Sequence, residues 1–543
     1  MTSPVHTSSS LPDGAPADMS WGAFHETAPW TLHLEEITWQ KVAAELRAQA
    51  QREIPVLTTP TKVPPFARLI TVVWVLGSAL LPWFVKKKLK RFDTPEASRA
   101  YISLRMRKAV ERLGSTYIKL GQIISSGEGL FPAELVAEFK LCRDQVPAIP
   151  FDEVRRVVEE ELGATIEATF ATFDRTPLAA ASIAQVHVAT LKTGEEVVVK
   201  VQRPVVSSLV RKDLRVMAWL APHLVGRIKV SALANPPALV ELFAETIVEE
   251  LDFRIEADNM LEVAKMLREL NQTSYIVPRP HPSLVTRRVL VMQRVSGFKF
   301  DDVAGISGAG INTHEVIRTG MIAFMEGAMI YGVFHGDLHG GNLFVMNDGR
   351  TALLDFGIVG RLTGARRMAF LRLMLNATTN NVTGQIEALR DLGALPMDTD
   401  IQAVIKDLNL GAPVIDPTTL SGEELVAEVQ RVVKAMLGYG ARMPKELMLY
   451  VKNMVFLDGA IAKLAPDLDL LAEIASISML FAQRHGERLG RELGVDHTAI
   501  EINLDSVKTG VLGVDASVNS LTYRDLQARR ELIQKRMRDH VGR

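Results

Sequence analysis

Two short segments, FHGDLHGGNLFV and ALLDFGIVG, contain side chains that can hold a metal-bound phosphate. Asp337 and Asn342 stand five residues apart in the first segment, and Asp355 opens Asp-Phe-Gly in the second. Transfer or hydrolysis of a γ-phosphoryl group needs a divalent metal that bridges the phosphate oxygens, and an amide oxygen with a carboxylate can hold it. The spacing therefore predicts Asn342 and Asp355 as Mg²⁺ ligands. It predicts Asp337 as the carboxylate that orients or deprotonates the acceptor.

Other parts of a kinase-type site lie upstream in the expected order. Lys200 ends the β-rich run EVVVK, from which a strand-borne lysine reaches the α- and β-phosphates. Such a lysine needs a carboxylate to hold it. The helical segment VEELDFRIEADN offers four acids, Glu249, Glu250, Asp252 and Glu256. The run VLVMQRVSG lies where a hinge offers backbone groups to adenine, at Met292, Gln293, Arg294 and Val295.

The whole set of motifs resembles the UbiB / AarF-domain-containing (ADCK) family of atypical, protein-kinase-like proteins. Lys119 to Gln122 match the KxGQ motif of that family, and Glu250 to Asp252 match its ExD motif. Its alanine-rich loop is matched by Ala179, Ala180, Ala181 and Ser182. The resemblance runs from about residue 98 to about residue 480 and covers the metal-binding residues described above. It implies that Lys200 pairs with Glu256 rather than with Glu249.

The resemblance also implies the fold, which is α+β and bilobal like a protein kinase, with a small β-containing N-lobe and a helical C-lobe. In the family, an N-terminal helical KxGQ extension packs over the active site, where a protein substrate would otherwise lie. Lys119 and Gln122 are three residues apart, so both can face the cleft from one helix. Lys119 would need an acidic partner there to offset its desolvation, and Glu250 or Asp252 is expected to provide it.

The loops around the cleft predict unusual nucleotide chemistry. The three alanines at 179–181 would stiffen a turn that is normally rich in glycine, and would place methyl groups near the phosphates. After Asp355 the chain reads directly into a helix, without the APE-like segment that forms a peptide platform. Gly340 stands where the family usually has proline, which is expected to loosen the catalytic loop. We therefore expect ATPase activity, or phosphorylation of a small lipid-like substrate, rather than phosphorylation of proteins.

The composition excludes several classes of protein. The 543 residues include 62 Lys+Arg, 63 Asp+Glu and 47% hydrophobic residues, which describes a globular chain with no overall charge to attract nucleic acid. The single cysteine, Cys142, can form neither an intrachain disulfide nor a cysteine-rich metal site. The expected cofactors are ATP or ADP, together with Mg²⁺.

Six segments are predicted along the chain. Residues 1–33 are rich in Ser, Pro, Ala and Gly and are expected to be disordered, and residues 34–97 form a helical extension. The KxGQ helices occupy 98–165. The N-lobe is predicted at 166–297, with a hairpin turn at Lys192-Thr193-Gly194. The C-lobe follows at 298–500, and a polar tail at 501–543.

The most hydrophobic segment runs from Leu69 to Val85 and contains no charge. Its length is at the lower limit for crossing a bilayer, and Pro82 is expected to disturb its last turn. A basic cluster follows directly, Lys86, Lys87, Lys88, Lys90 and Arg91. Such a cluster is typical of an anionic, cytoplasmic membrane face. The segment is either membrane-inserted or spanning, or a buried core helix with a basic end, and in bacterial relatives the spanning segments are commonly C-terminal.

These observations predict an atypical kinase-like ATPase at the cytoplasmic face of the membrane, with its catalytic domain in the cytoplasm. It would act in, or regulate, isoprenoid-quinone or related lipid metabolism. Expected partners are a nucleotide, a membrane lipid or isoprenoid-quinone precursor, and lipid-biosynthesis enzymes, but no nucleic acid. One alternative is a small-molecule phosphotransferase similar to aminoglycoside or choline kinases, which HGDLHGGN would also suit. Another is a non-enzymatic nucleotide-sensing scaffold on the membrane.

Overall fold

The computed structural model describes residues 37–125, 132–143, 147–225, 235–379, 381–410, 438–495 and 520–541, with a few isolated positions between 431 and 518. The predicted N-terminal tail at 1–33 lies outside the described residues. So does most of the predicted C-terminal tail before residue 520.

Helices form the extension and the KxGQ region. They are α1 (Gln40–Thr58), α2 (Phe66–Lys88), α3 (Pro95–Leu113), α4 (Ser115–Ser125), α5 (Ala133–Lys140), α6 (Phe151–Leu162) and the single turn α7 (Ile166–Thr169). Local residues set their ends: Thr94 caps α3 by accepting the Ala97 N–H. Gly114, with φ of 96°, ends α3 and lets α4 begin at the next residue.

The described strands are short. They are β1 (Phe170–Phe173), β2 (Ala179–Ala180), β3 (Ala184–Leu191), β4 (Glu196–Gln202), β5 (Tyr275–Ile276), β6 (Pro280–Val285), β7 (Val289–Gln293), β8 (Phe298–Lys299), β9 (Val333–His335), β10 (Leu343–Val345), β11 (Thr351–Leu353) and β12 (Val359–Arg361). The small lobe is an antiparallel sheet of order β1-β3-β4-β7-β6, with β2 paired to β3. The predicted hairpin between β3 and β4 is confirmed, since Gly194 has φ of 100° and its N–H donates to the Leu191 carbonyl at 2.9 Å.

Three helices lie between β4 and β5 in the chain, α8 (Val206–Leu224), α9 (Pro236–Ile247) and α10 (Phe253–Glu269). Helix α10 begins where the Asp252 side chain accepts the Arg254 N–H. Its buried residues recur around much of its surface, because it packs against the sheet on one side and the large lobe on the other. Helix α10 therefore contacts both lobes.

The large lobe is mostly helical, as predicted. Its helices are α11 (Val303–Gly308), α12 (Thr313–Glu326), α13 (Gly364–Thr378), α14 (Val382–Asp391), α15 (Ile401–Asp407), α16 (Lys445–Leu464), α17 (Leu470–Leu493) and α18 (Tyr523–Val541). Two small sheets, β5-β11-β10-β8 and β12-β9, lie at its upper edge. The catalytic loop connects β9 to β10, and the Asp-Phe-Gly loop connects β11 to β12.

The described part of the predicted polar tail returns to the large lobe as helix α18. Tyr523 at its start is only 1% exposed, and Arg530 forms an ion pair with Asp458 of α16 at 2.7 Å. Tyr523 provides the apolar surface that anchors this otherwise polar helix.

Helix α2 continues through Pro82 to Lys88, so the expectation that Pro82 would disturb its last turn was wrong. Proline lacks the N–H that would bond to the Ser78 carbonyl. Arg105 of α3 compensates, because its Nε donates to the Ala79 carbonyl at 2.7 Å and its Nη2 to the Ser78 carbonyl at 3.4 Å. The proline is therefore tolerated because Arg105 of the neighbouring helix binds the Ser78 carbonyl, which has lost its helical donor, as well as the Ala79 carbonyl.

Helix α2 has two different faces. Val72, Val75 and Ala79 are buried against the neighbouring helices, and Arg68 is held by Asp213 of α8 at 2.6 Å. The opposite face exposes large apolar side chains at helical spacing, Phe66, Ile70, Val73, Trp74, Leu81, Phe84 and Val85. Among the described helices, α2 is long and apolar enough to cross a membrane by length and composition. It is nevertheless packed against α3 and α8 through Val72, Val75 and Ala79.

Candidate active site

The catalytic loop holds Asp337 and Asn342 in fixed positions. His335 Nδ1 accepts the Asp337 N–H at 3.1 Å, and Asn342 Nδ2 donates to the Asp337 carbonyl at 3.0 Å. The other ring nitrogen of His335 bonds to the Leu354 carbonyl at 3.0 Å, one residue before Asp355. His335 therefore joins the two segments in which the sequence predicts metal ligands.

Lys200 of β4 connects the small lobe to this loop. Its Nζ lies 2.7 Å from Glu256 Oε1 of α10 and 3.1 Å from Asp355 Oδ1. Lys200 is 9% exposed and Glu256 is 3% exposed. The structure thus pairs Lys200 with Glu256, the partner that the resemblance implies. Glu249 pairs instead with Lys445 of α16, at 3.3 Å.

The Asp-Phe-Gly loop turns its carboxylate and its phenyl ring in different directions. Asp355 has φ of 54°, a left-handed conformation that costs free energy in a residue with a Cβ and that recurs at functional sites. Its side chain is 46% exposed, whereas Phe356 is 1% exposed in the core. Asn259 of α10 fixes the loop by donating from Nδ2 to the Phe356 carbonyl at 2.8 Å. The Asp355 carboxylate is therefore presented to the cleft.

Helix α4 brings the KxGQ motif to the same site. Lys119 Nζ lies 2.8 Å from Glu250 Oε1, and the two side chains are 13% and 12% exposed. Gln122, three residues further along α4, is half-buried. Asp252 uses its carboxylate elsewhere, as the cap of α10 and as a partner of Arg254 at 2.6 Å. Of the two predicted acidic partners, Lys119 therefore pairs with Glu250.

The alanine-rich loop lies at the edge of the sheet, in register with Lys200. Ala179 pairs with Val186 of β3, which in turn pairs with Lys200 of β4. The Ala181 N–H donates to the Ala184 carbonyl at 2.8 Å, so this donor serves the turn and not a phosphate. Of the other two residues of the motif, Ala180 is half-buried and Ser182 is buried.

The predicted hinge, Met292 to Val295, begins in β7 and passes its end. The Gln293 N–H donates to the Arg279 carbonyl at 2.9 Å, and the Arg294 N–H to the Glu196 carbonyl at 3.4 Å. Two of the N–H groups predicted to face adenine are therefore used within the sheet. Met292 lies within β7, paired with Val198 of β4, so Val295, after the strand ends, is the expected donor to a base among these four.

Two residues of α16 complete the catalytic loop and were not identified from the sequence. Lys452 forms an ion pair with Asp337, and both side chains are less than one-fifth exposed. The neighbouring Asn453 is fully buried, and its Oδ1 accepts the Leu338 N–H at 3.0 Å. Both lie in LMLYVKNMVFL, where a polar pair interrupts an apolar helix. That interruption was the available signal.

The surrounding charges keep both loop aspartates ionised. Burial alone would raise the pKa of Asp337, but the charges of Lys452 and Lys119 outweigh it and hold this pKa well below its usual range. Burial would raise the pKa of Asp355 as well, but the charges of Lys200 and Lys119 outweigh this effect and lower the pKa to about 2. Burial raises the pKa of Glu256, against the opposing charge of Lys200.

The donor atoms fit a metal–nucleotide complex better than a free ion. Asp355 and Asn342 offer a carboxylate and an amide oxygen, which are hard donors suited to Mg²⁺. Within the described ranges, no group of three or more His, Cys, Asp or Glu side chains is arranged to hold a metal. Protein oxygens combined with phosphate oxygens and waters are the usual surroundings of Mg²⁺ at nucleotide sites. The residues therefore fit Mg²⁺ that arrives with a nucleotide.

Comparison with known proteins shows the family. Residues 141–389 match the model of the ABC1 atypical kinase-like domain. An aarF domain-containing protein kinase of Arabidopsis thaliana chloroplasts is 33% identical, over 68% of this chain and 73% of the relative. A probable protein kinase UbiB of Marinobacter nauticus is 30% identical, over 72% of this chain and 70% of the relative. The chain belongs to the UbiB/aarF-domain family of atypical kinase-like proteins.

The predicted fold and resemblance are thereby confirmed, and the cleft described above is that of a UbiB-family protein. A solved structure of a Mycobacterium tuberculosis protein in complex with erythromycin matches 60% of this chain and 89% of its own. The two are 22% identical, with a TM-score of 0.35.

Proposed function

We propose that this UbiB-family protein is an ATPase that acts in, or regulates, isoprenoid-quinone or related membrane-lipid metabolism, and does not phosphorylate proteins in trans. The ion pair between Lys119 and Glu250 carries the proposal. It holds α4 where the charge of Lys119 acts on both Asp337 and Asp355. The acceptor of a phosphoryl group has to approach this same region.

Each polar side chain of the cleft takes a role in this proposal. Lys200, held by Glu256, binds the α- and β-phosphates. Asn342 and Asp355 hold Mg²⁺, which when bound neutralises charge on the phosphate oxygens. Asp337 orients the acceptor. Because nearby lysines hold its pKa low, Asp337 is better suited to orienting a water or hydroxyl group than to removing a proton from it.

A small acceptor suits this cleft better than a peptide. A Cβ placed on Gly357 would lie 3.3 Å from Glu250 Cγ, so the acid that holds Lys119 also packs against the Asp-Phe-Gly loop. After that loop, the chain passes through β12 directly into α13. Water, or the polar head of a lipid, needs far less room than an extended peptide backbone. These features support hydrolysis or a small lipid-like substrate.

The outer face of α2 supports a position on a membrane surface. Trp74 is 63% exposed and Phe84 is 58% exposed, and the basic residues 86–91 follow at the end of the helix. An apolar helix face beside a basic cluster binds anionic bilayers from one side. Since the inner face of α2 is bound to α3 and α8, we propose that α2 lies in the plane of the membrane surface and does not cross it.

Nucleotide turnover by the purified protein tests the activity. We expect Mg²⁺-dependent conversion of ATP to ADP, measured with and without liposomes and isoprenoid-quinone-like lipids, and no labelling of generic protein substrates by γ-labelled ATP. Robust protein labelling would contradict the proposal. A phosphorylated small molecule would favour the phosphotransferase alternative, and tight nucleotide binding without turnover would favour the scaffold.

Vesicle sedimentation tests the membrane position. The protein should sediment with anionic phospholipid vesicles and less with neutral ones. Phe84→Asp on the exposed face should weaken this binding at least fivefold, whereas Val451→Asp, at an exposed position on α16, should not. Equal sedimentation of Phe84→Asp and the unmodified protein would exclude α2 as the contact. Protection from added protease of the residues on one side of α2 only, with those on the other side still cleaved, would instead indicate a spanning helix.

A further inference from the structure

Helix α16, which is hydrogen-bonded to the catalytic loop, places Lys452 beside the carboxylate of Asp337. Its Nζ donates to Asp337 Oδ1, and its side chain is 18% exposed. The next residue, Asn453, accepts the Leu338 N–H and donates to the His335 carbonyl. Helix α16 therefore binds the catalytic loop on both sides of Asp337, and these contacts direct the Lys452 side chain towards Asp337.

The same helix is fixed at its first turn. Lys445 lies seven residues, or two helical turns, before Lys452, so both project from one face. Lys445 Nζ lies 3.3 Å from Glu249 Oε2 and donates to the Glu245 carbonyl at 3.0 Å. Glu249 immediately precedes Glu250, the partner of Lys119. Helix α16 is thus held at its start by the segment next to Glu250, and two turns later by the catalytic loop.

Between Asp337 and Asn342 the catalytic loop contains no lysine or arginine that could bind a terminal phosphate. Between Asp337 and Asn342 the sequence is Leu-His-Gly-Gly, and the His339 Nδ1 accepts the Gly341 N–H at 3.1 Å. Lys200 is paired with Glu256 and Asp355, and Lys119, whose charge also acts on Asp337, is paired with Glu250. Phosphoryl transfer or hydrolysis needs positive charge where the terminal phosphate leaves. Beside Asp337, this charge has to come from another part of the chain.

We propose that Lys452 is the residue that binds the terminal phosphate of the bound triphosphate, bridging it to Asp337. The inference rests on the proposed nucleotide site and adds a residue to it. Without nucleotide, Lys452 neutralises Asp337. When Mg·ATP binds, its Nζ keeps one hydrogen bond to Asp337 and donates another to a γ-phosphate oxygen, since an ammonium group has three donors. ADP lacks this phosphate and gains nothing from Lys452.

A purely structural ion pair makes a different prediction. If Lys452 only stabilised the loop, its loss would weaken ATP and ADP binding by the same factor. Removing one partner of a buried pair also leaves an unpaired charge, which alone can unfold a protein. The comparison is therefore made between Asp337→Asn, which keeps Lys452, and Asp337→Asn with Lys452→Met, which removes both charges, and urea unfolding first checks that both variants are folded.

Calorimetric titration of the full chain with Mg²⁺ and either ADP or a non-hydrolysable ATP analogue provides the test. Adding Lys452→Met to Asp337→Asn should lower affinity for the analogue at least tenfold and affinity for ADP less than threefold. Lys452→Arg, in the unmodified background, should keep the preference for the triphosphate. Lys463→Met, which removes an exposed lysine of the same helix, should change neither affinity.

Equal losses for the two nucleotides, or no loss for either, would overturn the role of Lys452 while leaving the nucleotide site intact. A lost preference in Lys452→Arg together with a kept preference in the double variant would overturn it as well. Failure of the unmodified protein to bind either nucleotide would overturn the proposed function itself, and this inference with it.

Discussion

Gly357 of the Asp-Phe-Gly loop lies directly against Glu250 of the ExD motif, so that a Cβ on this glycine would be 3.3 Å from Glu250 Cγ and 3.3 Å from Asp355 Oδ1. The Gly357 N–H donates to that same Asp355 oxygen at 3.2 Å. Glu250 in turn holds Lys119. The residue that anchors the KxGQ helix therefore contacts the loop that carries a predicted metal ligand, without any intervening side chain.

Lys119→Ala should change nucleotide handling although every predicted metal ligand is kept. The change leaves the Glu250 side chain, which is 12% exposed, without its cation, and this should cost about 3–5 kcal/mol of unfolding free energy. It also removes a positive charge that acts on Asp337 and Asp355. Urea unfolding curves check the loss of stability, and measurements of ATP affinity and turnover check the change in nucleotide handling.

A double-mutant cycle isolates the contribution of the Lys119–Glu250 ion pair from that of the rest of the KxGQ extension. Lys119→Ala and Glu250→Gln should be non-additive by about 1 kcal/mol or more, because each removes the same ion pair. Lys108→Ala, at an exposed lysine of the preceding helix, is the matched control and should leave stability and turnover unchanged. Additive effects, or turnover by Lys119→Ala equal to that of the unmodified chain, would show that the pair does not guard the cleft.

Asp355→Asn should abolish the Mg²⁺-dependent part of thermal stabilisation by ATP. The amide cannot supply the anionic oxygen that the metal needs, and Asn342 alone provides a single neutral donor. The measurement is the Tm with ATP, with and without Mg²⁺, where a ligand at 100 times its Kd adds about 2.7 kcal/mol. Asp348→Asn, at an exposed surface aspartate, should keep the full effect. Undiminished Mg·ATP stabilisation in Asp355→Asn would remove the metal assignment.

Gly340→Pro, which restores the usual residue of the family, should be mildly destabilising here. A Cβ at Gly340 would lie 2.7 Å from Asp301 Cγ, so the Asp301 carboxylate has to rotate away from its partner Lys463. That ion pair is more than half exposed, so its loss should cost about 1 kcal/mol or less. Urea unfolding of Gly340→Pro in the unmodified and Asp301→Ala backgrounds checks this. A large loss in the Asp301→Ala background would point to the backbone and not to Asp301.

The stability of the catalytic loop should depend on pH through His335. Burial lowers the pKa of His335, and its Nδ1 has to stay unprotonated to accept the Asp337 N–H. The folded protein therefore binds this proton less readily than the unfolded chain, whose histidine pKa is about 6.5. The contribution of His335 to stability is present above that value and is lost as pH falls below it, by up to about 1.4 kcal/mol per pH unit.

His335→Asn should remove this part of the pH dependence, since its amide oxygen can still accept the Asp337 N–H but does not titrate. Urea unfolding at pH 7.5 and pH 5.5 should show a smaller loss of stability for the variant than for the unmodified chain. Glu256, whose raised pKa acts in the opposite direction, is present in both and cancels in the comparison. Equal losses would mean that folding does not lower the pKa of His335.

The sequence predicted the parts of the site that depend on short motifs. Lys200, Asp337, Asn342 and Asp355 could be found because phosphate chemistry requires particular residue types at particular spacings. Lys452 could not, since it lies 115 residues after Asp337 and only the packing of α16 brings the two together. Pattern and composition also cannot show how two faces of one helix are used.

Helix α2 illustrates that second limit. Hydrophobicity alone left a spanning helix and a core helix as alternatives, because both lack charged residues. Two contacts fix which face of α2 packs against the domain. Arg68 of α2 binds Asp213 of α8, and Arg105 of α3 binds the Ala79 carbonyl of α2. These contacts depend on tertiary positions that no local pattern encodes.

The contact of Arg105 with the carbonyls of α2 has a mechanical consequence. Helix α2 cannot tilt away from α3 without breaking both Arg105 hydrogen bonds, and the Ser78 carbonyl would then lack the donor that replaces the missing N–H of Pro82. The two helices are therefore expected to move together. A single residue, Gly114, separates α3 from α4, and α4 carries Lys119. A force that a curved or crowded lipid surface applies to Trp74 and Phe84 of α2 would therefore pass to α3, and from α3 through Gly114 to α4 and Lys119.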